Sequence, residues 1–205
     1  MITIIDYGLG NIRAFANIYK RLNIKVKIAK TKYEVIGADK IILPGVGAFD
    51  FAMSQLNSSG MRDVIEKEVI SNCVPVLGVC LGMQMLSNSS EEGKLNGLGW
   101  IRGTVNKFDK KFFDSDLCRL PHMGWNNVKQ SIESHLFSNV PDLGRFYFLH
   151  SYYFSCHDDK NIISTTSYGS NFASSINLNN IFGVQFHPEK SHLLGVQVLN
   201  NFAKL

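Results

Sequence analysis

The first half of the chain alternates short apolar runs with stretches of helical spacing. Residues 1–5 form an apolar run that reads as a strand. From Asn11 to Leu22, apolar residues fall at Ile12, Phe15, Ile18, Tyr19 and Leu22, one face of a helix. Ile24 to Ile28 alternates apolar residues with lysine, the mark of a half-buried strand. Ile41-Ile42-Leu43 reads as a fully buried strand stopped by Pro44-Gly45. Helical stretches follow near 48–57 and 61–70, and residues 74–79 form another buried strand with Pro75 near its start. The order β-α-β-β-α-β-α predicts a largely parallel sheet wrapped by helices. The second half reads differently, with strands near 100–106, 125–129, 145–154, 161–167 and 172–177 separated by turns. The strand Ile181 to Phe186 leads into a last helix over 191–203. The predicted fold is α/β: a mostly parallel open sheet flanked by helices, with antiparallel strands in the C-terminal half. With no repeat, low-complexity tract or Pro/Gly-rich linker, residues 1–205 read as a single domain.

Composition narrows the classes. The hydrophobic fraction of 45% is that of a globular protein. No run of about 18 apolar residues exists, so no membrane span is expected. The N-terminus lacks a basic leader and turns acidic at Asp6, which makes a cytoplasmic location the default. The net charge of +4 is modest. Lysines cluster at 25, 27, 30 and 32 and at 107, 110 and 111; without interleaved aromatics these read as solvated faces or strand edges, not nucleic-acid patches. Cys73, Cys80, Cys118 and Cys156 are widely spaced, with no C-x-x-C, and read as free thiols.

One of these cysteines sits in a special frame. Gly78-Val79-Cys80-Leu81-Gly82 lies between a buried strand and a helix, the thiol form of a nucleophile elbow. Such a turn strains the backbone at the nucleophile and crowds the neighbours two residues away, where glycine fits. A thiol at a helix N-terminus feels the positive end of the helix dipole, which favours thiolate. The Leu81 N–H points where an oxyanion would form. The bland alternative is a core cysteine between packing glycines; the strand-elbow-helix context favours a nucleophile. A cysteine nucleophile needs a base, and the base an orienter. His187-Pro188-Glu189 supplies both: in extended chain, residues i and i+2 point the same way, so Glu189 reaches one ring nitrogen while the other faces Cys80. No third ligand stands at zinc spacing, so neither metal nor cofactor is expected.

Together, Pro44-Gly45-Val46-Gly47, Gly78-Val79-Cys80-Leu81-Gly82-Met83-Gln84 and Gly183-Val184-Gln185-Phe186-His187-Pro188-Glu189 resemble the class I (triad) glutamine amidotransferases. Further strings resemble one branch of that family, the glutaminase subunits of imidazole glycerol phosphate synthase. They are Asp6-Tyr7-Gly8-Leu9-Gly10-Asn11, Pro121-His122-Met123-Gly124-Trp125-Asn126, Phe146 to Tyr152, and His187-Pro188-Glu189-Lys190-Ser191. The resemblance covers essentially the whole chain in order. It implies that Cys80 attacks the side-chain amide of L-glutamine, that His187 protonates the departing ammonia, and that water then hydrolyses a glutamyl thioester. The oxyanion would take the N–H of Leu81 and a second from Val46 or Gly47. Many triad relatives carry Pro-Gly-Gly at that loop. Valine resists positive φ, so the loop is expected to sit poorly until something rearranges it. Gln84 and Glu92 would hold the amino-acid end of glutamine, with Glu91 as an alternative to Glu92, and the Ser151-Tyr152 backbone would meet the carboxylate. The implied partner is a (β/α)8 cyclase/synthase subunit that consumes the ammonia in a heterodimer for histidine biosynthesis, with Asn11, Trp125, Tyr147 and Lys190 at or near the interface. Two other readings stay open. One is a paralogue feeding a sugar-amidinating synthase for surface polysaccharide, suggested by Ser191-His192-Leu193 and the unusual stretch 107–120. The other is a non-catalytic module or stand-alone γ-glutamyl peptidase.

Overall fold

The computed structural model describes residues 1–109 and 119–205; Lys110, Lys111 and Cys118 lie outside them. The N-terminal elements are β1 (Ile2–Ile5), α1 (Ile12–Arg21), β2 (Val26–Ala29), α2 (Lys32–Val35), β3 (Lys40–Gly45), α3 (Phe49–Ser58), α4 (Arg62–Glu66), β4 (Val76–Cys80) and α5 (Leu81–Gln84). They are followed by β5 (Ser89–Ser90), β6 (Gly103–Lys107), β7 (His122–Gln130), β8 (Gly144–His150), β9 (Tyr152–Cys156), β10 (Ile162–Tyr168), β11 (Ser170–Leu178), β12 (Ile181–Val184) and α6 (His192–Lys204). Among the described residues the large sheet has nine strands in the order β2-β1-β3-β4-β12-β11-β10-β7-β8, and β5-β6-β9 form a smaller one. Pairing is parallel from β2 through β12 and antiparallel from β12 to β8.

The central strands β1, β3, β4 and β12 are buried almost throughout, because helices cover both faces. The period of two divides their side chains. Ile2, Ile4, Ile42, Leu77 and Val79 pack with α1 and α6. Ile5, Ile41, Leu43 and Val76 pack with α2, α3, α4 and the small sheet.

Three local differences from the sequence reading have physical causes. The single strand expected over 145–154 breaks at Ser151, because β8 pairs with β7 while β9 pairs with β6 in the other sheet. The helix expected over 61–70 ends at Glu66 and continues as a wide π-type turn, Lys67–Ser71. In that turn the buried Glu68 carboxylate accepts the N–H of Gly37 and the amide of Asn72. The strand expected over 100–106 starts only at Gly103, where pairing with Cys156 begins.

The β7–β8 pair carries a buried polar chain. His122 and His150 stand opposite each other in register. Tyr152 carbonyl can only accept, so His150 Nδ1–H donates to it (2.9 Å) and leaves Nε2 bare. That nitrogen accepts from His122 Nδ1–H (2.9 Å), and His122 Nε2 in turn accepts from Asn126 Nδ2 (3.2 Å). Both imidazoles are therefore neutral in single tautomers. Burial pushes His122 down to about 4 and His150, which also feels His122, down to about 3.

These features generate two predictions. Each histidine binds its proton less readily folded than unfolded. Their contribution to stability is therefore full above the ordinary value of 6.5 and is lost as pH falls through about 4 and about 3. The urea midpoint should fall steadily below pH 6.5, and the double variant His122→Gln/His150→Gln should show a shallower fall; an equal slope in both proteins would refute the assignment. Second, a Cβ on Gly82 would run into the carbonyl oxygen of Leu43. Gly82→Ala should lower unfolding free energy by about 3 kcal/mol in chemical denaturation.

Candidate active site

Cys80 is the last residue of β4, and α5 begins at Leu81. Its backbone is at φ 55° and ψ −111°, a conformation that side-chain-bearing residues rarely adopt. The crowding inferred around the elbow is present: a Cβ on Gly78 would sit 2.6 Å from the Gly82 carbonyl oxygen, and one on Gly45 2.6 Å from the Gly82 nitrogen. The helix after the elbow is a single turn, Leu81–Gln84. Its dipole is correspondingly small, so the electrostatics at the sulfur belong to the side chains around it.

Those side chains come from three elements. His187 follows β12 and is buried. Its N–H donates to the Tyr147 carbonyl on β8 (2.8 Å), while Ser191 Oγ donates to the His187 carbonyl (2.6 Å) and accepts from Tyr147 N–H (3.0 Å). This clasp holds the imidazole segment against the sheet edge. His187 Nδ1 meets Glu189 Oε1 at 2.9 Å, with both side chains nearly inaccessible to water. Burial alone would pull the imidazole down. The Cys80 sulfur, by charge and hydrogen bond, and the Glu189 carboxylate overcome that and push His187 up to about 10. The arrangement thus favours a protonated imidazole beside the sulfur, steadied by a carboxylate. Asn11 Nδ2 donates to the same Glu189 oxygen (3.3 Å).

A cleft of about 220 Å³ opens beside the sulfur, lined by Val46, Gly47, Cys80, Leu81, Gln84, Glu92, Pro121, Leu149, His150, Ser151, Tyr152 and His187. It is smaller than the roughly 300–1,000 Å³ of drug-sized sites, which suits a ligand of amino-acid size. All the residues singled out in the sequence for oxyanion and substrate contacts lie on this one wall. At the oxyanion loop the positive φ falls on Gly47 (98°), not on Val46. Below it, Tyr7 donates its hydroxyl to the Pro44 carbonyl (2.7 Å). Glu92 faces the cleft, and its Oε2 accepts the Phe49 N–H that opens α3 (3.0 Å). Burial raises its proton affinity, the Phe49 hydrogen bond opposes this, and Asp50 adds to the rise. Glu91 does not line the cleft and accepts the Lys107 N–H (2.6 Å).

Gln84 is placed in the cleft, yet both of its N–H groups are already engaged. Nε2 donates to the Tyr152 carbonyl (2.8 Å) and to Gln185 Oε1 (3.0 Å), so only its carbonyl oxygen is left for a ligand. Gln185 carried no role in the sequence reading. Its Nε2 lies 3.7 Å from Cys80 Sγ. A signal was present: Gln185 stands two residues before His187, a spacing that in an extended reading of the sequence shares its side, and the bend after β12 still brings both groups to the sulfur.

The four residues expected near a partner occupy one exposed region next to the base. Trp125 is 38% exposed and stacks on His192, with centroids 5.0 Å apart. It also meets Tyr147 edge-on (6.2 Å), and Lys190 Nζ sits 5.5 Å over the Tyr147 ring. Of the remaining described cysteines, Cys73 is exposed, and burial, with help from Asp159 and Asp158, pushes Cys156 up to about 12. No helix among the described residues is long and apolar enough to cross a membrane.

Residues 3–205 match the family model for class-I glutamine amidotransferases. The chain is 53% identical over 205 residues to "Imidazole glycerol phosphate synthase subunit HisH" of Bdellovibrio bacteriovorus, and 51% identical to the subunit of that name from Leptospira borgpetersenii; each alignment covers 100% of both chains. Among solved structures it is similar to a glutamine amidotransferase, with a TM-score of 0.75 at 16% identity, covering 100% of this chain and 99% of that one. It is also similar to PurLQS from Thermotoga maritima, with a TM-score of 0.72 at 16% identity, covering 99% of this chain and 97% of that one. At such identities the likeness speaks for the fold alone. The end-to-end relatives and the family model agree, and the chain belongs to the class I glutamine amidotransferase family, as an enzyme of the branch formed by the HisH subunits of imidazole glycerol phosphate synthase.

Proposed function

We propose that this chain is the glutaminase subunit of an imidazole glycerol phosphate synthase, acting in the cytoplasm through Cys80, His187 and Glu189. One observation carries the reading: a sulfur on a strained elbow shares a small cleft with a buried imidazole, whose far nitrogen is held at 2.9 Å by a carboxylate. The Cys80 thiolate attacks the amide carbon of glutamine, and the carbonyl oxygen becomes an oxyanion facing the N–H of Leu81. As the tetrahedral intermediate collapses, the C–N bond breaks and His187 gives its proton to the nitrogen, which leaves as ammonia. Water then attacks the thioester and gives a proton to His187. The C–S bond breaks, releasing glutamate and restoring the thiolate. Gln84 Oε1 and Glu92 suit the substrate ammonium, and the Ser151-Tyr152 backbone suits its carboxylate.

Ammonia at neutral pH is mostly ammonium, so the product needs an adjacent consumer. The proposed consumer is a (β/α)8 cyclase subunit of histidine biosynthesis, docked over Asn11, Trp125, Tyr147 and Lys190. Trp125 and Tyr147 are the aromatic type that anchors interfaces. Asn11, Tyr147 and Lys190 each bond directly to the His187–Glu189 segment, by Asn11 Nδ2, the Tyr147 carbonyl and the Lys190 N–H. A docked protein therefore touches the base's own support. The Val46–Gly47 loop is the second proposed control: its rearrangement would complete the oxyanion site, so turnover by the chain alone is low.

Three outcomes are expected. Cys80→Ala lowers glutamate formation by about 10³-fold or more, and Glu189→Gln by at least about 10²-fold, with unchanged thermal unfolding. Undiminished turnover by the alanine variant would end the proposal. Adding the cyclase subunit raises glutaminase turnover well above that of the chain alone; full activity without it contradicts the loop's role. The gene restores growth to a histidine auxotroph lacking its own glutaminase subunit, whereas failure there, with glutaminase intact, points to the sugar-amidinating alternative.

A further inference from the structure

We propose that Gln185 is a catalytic residue, whose side-chain amide donates to the Cys80 sulfur and stabilises it as the thiolate. The inference rests on Cys80 being the nucleophile. Among the described residues, two polar groups besides the imidazole bond the Cys80 Sγ, both at 3.7 Å: the Leu149 carbonyl oxygen and Gln185 Nε2. Their demands are opposite. The carbonyl accepts from S–H and so favours the protonated thiol, and once the proton leaves it faces a negative sulfur with its own negative end. Only the amide N–H is attractive to the thiolate. Gln185 is wholly buried, so no water competes for that N–H.

The amide cannot turn round. If it flipped, its NH₂ would face the NH₂ of Gln84 and its oxygen would face the sulfur. Gln84 is itself locked, because its other hydrogen goes to the Tyr152 carbonyl, a pure acceptor. The same carbonyl takes His150 Nδ1–H, with His122 and Asn126 behind it, and Asn126 ends on the Ser167 carbonyl (3.0 Å). Donors therefore converge on the Tyr152 carbonyl from both sides, from His150 and from Gln84, and the Gln84–Gln185 arm alone runs on to the sulfur. That arm delivers one correctly oriented N–H to a reacting atom, before attack and again when the thioester releases the thiolate.

The test is the pH dependence of iodoacetamide alkylation at Cys80, read on the Cys80 peptide by mass spectrometry so that other thiols do not interfere. In Gln185→Met, which keeps length and removes the N–H, the midpoint should rise by about one pH unit, with alkylation about tenfold slower at neutral pH. The acidic limb of kcat/KM for glutamine, measured with the partner subunit, should move up by the same amount, because it reports the free enzyme. Should that variant fail to fold, Gln84→Met leaves the Gln185 N–H in place but unlocks it, and should shift alkylation in the same direction by less. A merely structural glutamine would lower thermal stability without moving either profile, and unmoved profiles overturn the proposal. Alkylation does not require glutamine hydrolysis. Absence of glutaminase turnover in the wild type would therefore defeat the functional reading separately, while the alkylation profile still decides the role of Gln185.

Discussion

The site depends on one backbone constraint, the left-handed conformation of Cys80 at the end of β4. Residues held in such regions cost of order 1–3 kcal/mol and persist only where their surroundings over-determine them. Here the surroundings do so from both sides. Before the elbow, β4 is clamped in parallel register between β3 and β12. After it, Gly82 lies against the Leu43 carbonyl so closely that no side chain fits, and Gly45 on the neighbouring strand crowds the Gly82 nitrogen in turn. The turn cannot relax without pulling three buried strands out of register, and so the sulfur stays at the mouth of the cleft.

A fixed sulfur turns neighbouring dipoles into chemistry. With α5 reduced to a single turn, a helix dipole has little to contribute, and tuning passes to groups that reach the sulfur from other elements. His187 arrives from the end of β12, clasped to β8 through Tyr147 and Ser191, and Gln185 arrives two residues earlier along the same stretch. The segment that leaves the parallel strand next to β4 thus carries both of these groups, two residues apart.

This explains what could be read from the residues and what could not. The central strands were legible because burial on both faces makes them continuous apolar runs, and the Cys80 and His187 strings were legible because elbow and strand geometry demand those spacings. The break at Ser151 was not: apolar character continues from β8 into β9, and only pairing with two different sheets separates them. Glu91 and Glu92 were indistinguishable as neighbours in sequence, since the choice depends on the distant α3 N-terminus that Glu92 reaches. That Gln84 could meet the amino-acid end of glutamine only through its carbonyl oxygen was not legible either, because its donors are spent on Tyr152 and on Gln185, a residue about a hundred positions away (|i−j| = 101). Hydrogen-bond saturation of this kind is set by tertiary contact and leaves no mark on local pattern.

Two polar networks meet at the sulfur, and both run back to the same place. One passes through Gln185, Gln84, the Tyr152 carbonyl, His150 and His122 to Asn126 on β7. The other passes through His187 to the Tyr147 carbonyl on β8. Asn126 is the chain neighbour of Trp125, and Trp125 stands opposite Tyr147 in register. The β7–β8 pair at the end of the large sheet is therefore the common root of the groups that govern the sulfur and its base. Among the described residues β8 is the terminal strand of that sheet, and at Tyr147 its outward carbonyl and N–H are held by His187 and Ser191. A protein docked over Trp125 and Tyr147 would steady the root of both networks at once. On the proposed reading, an edge hairpin placed there would make the chemistry sensitive to docking without any partner atom having to enter the cleft.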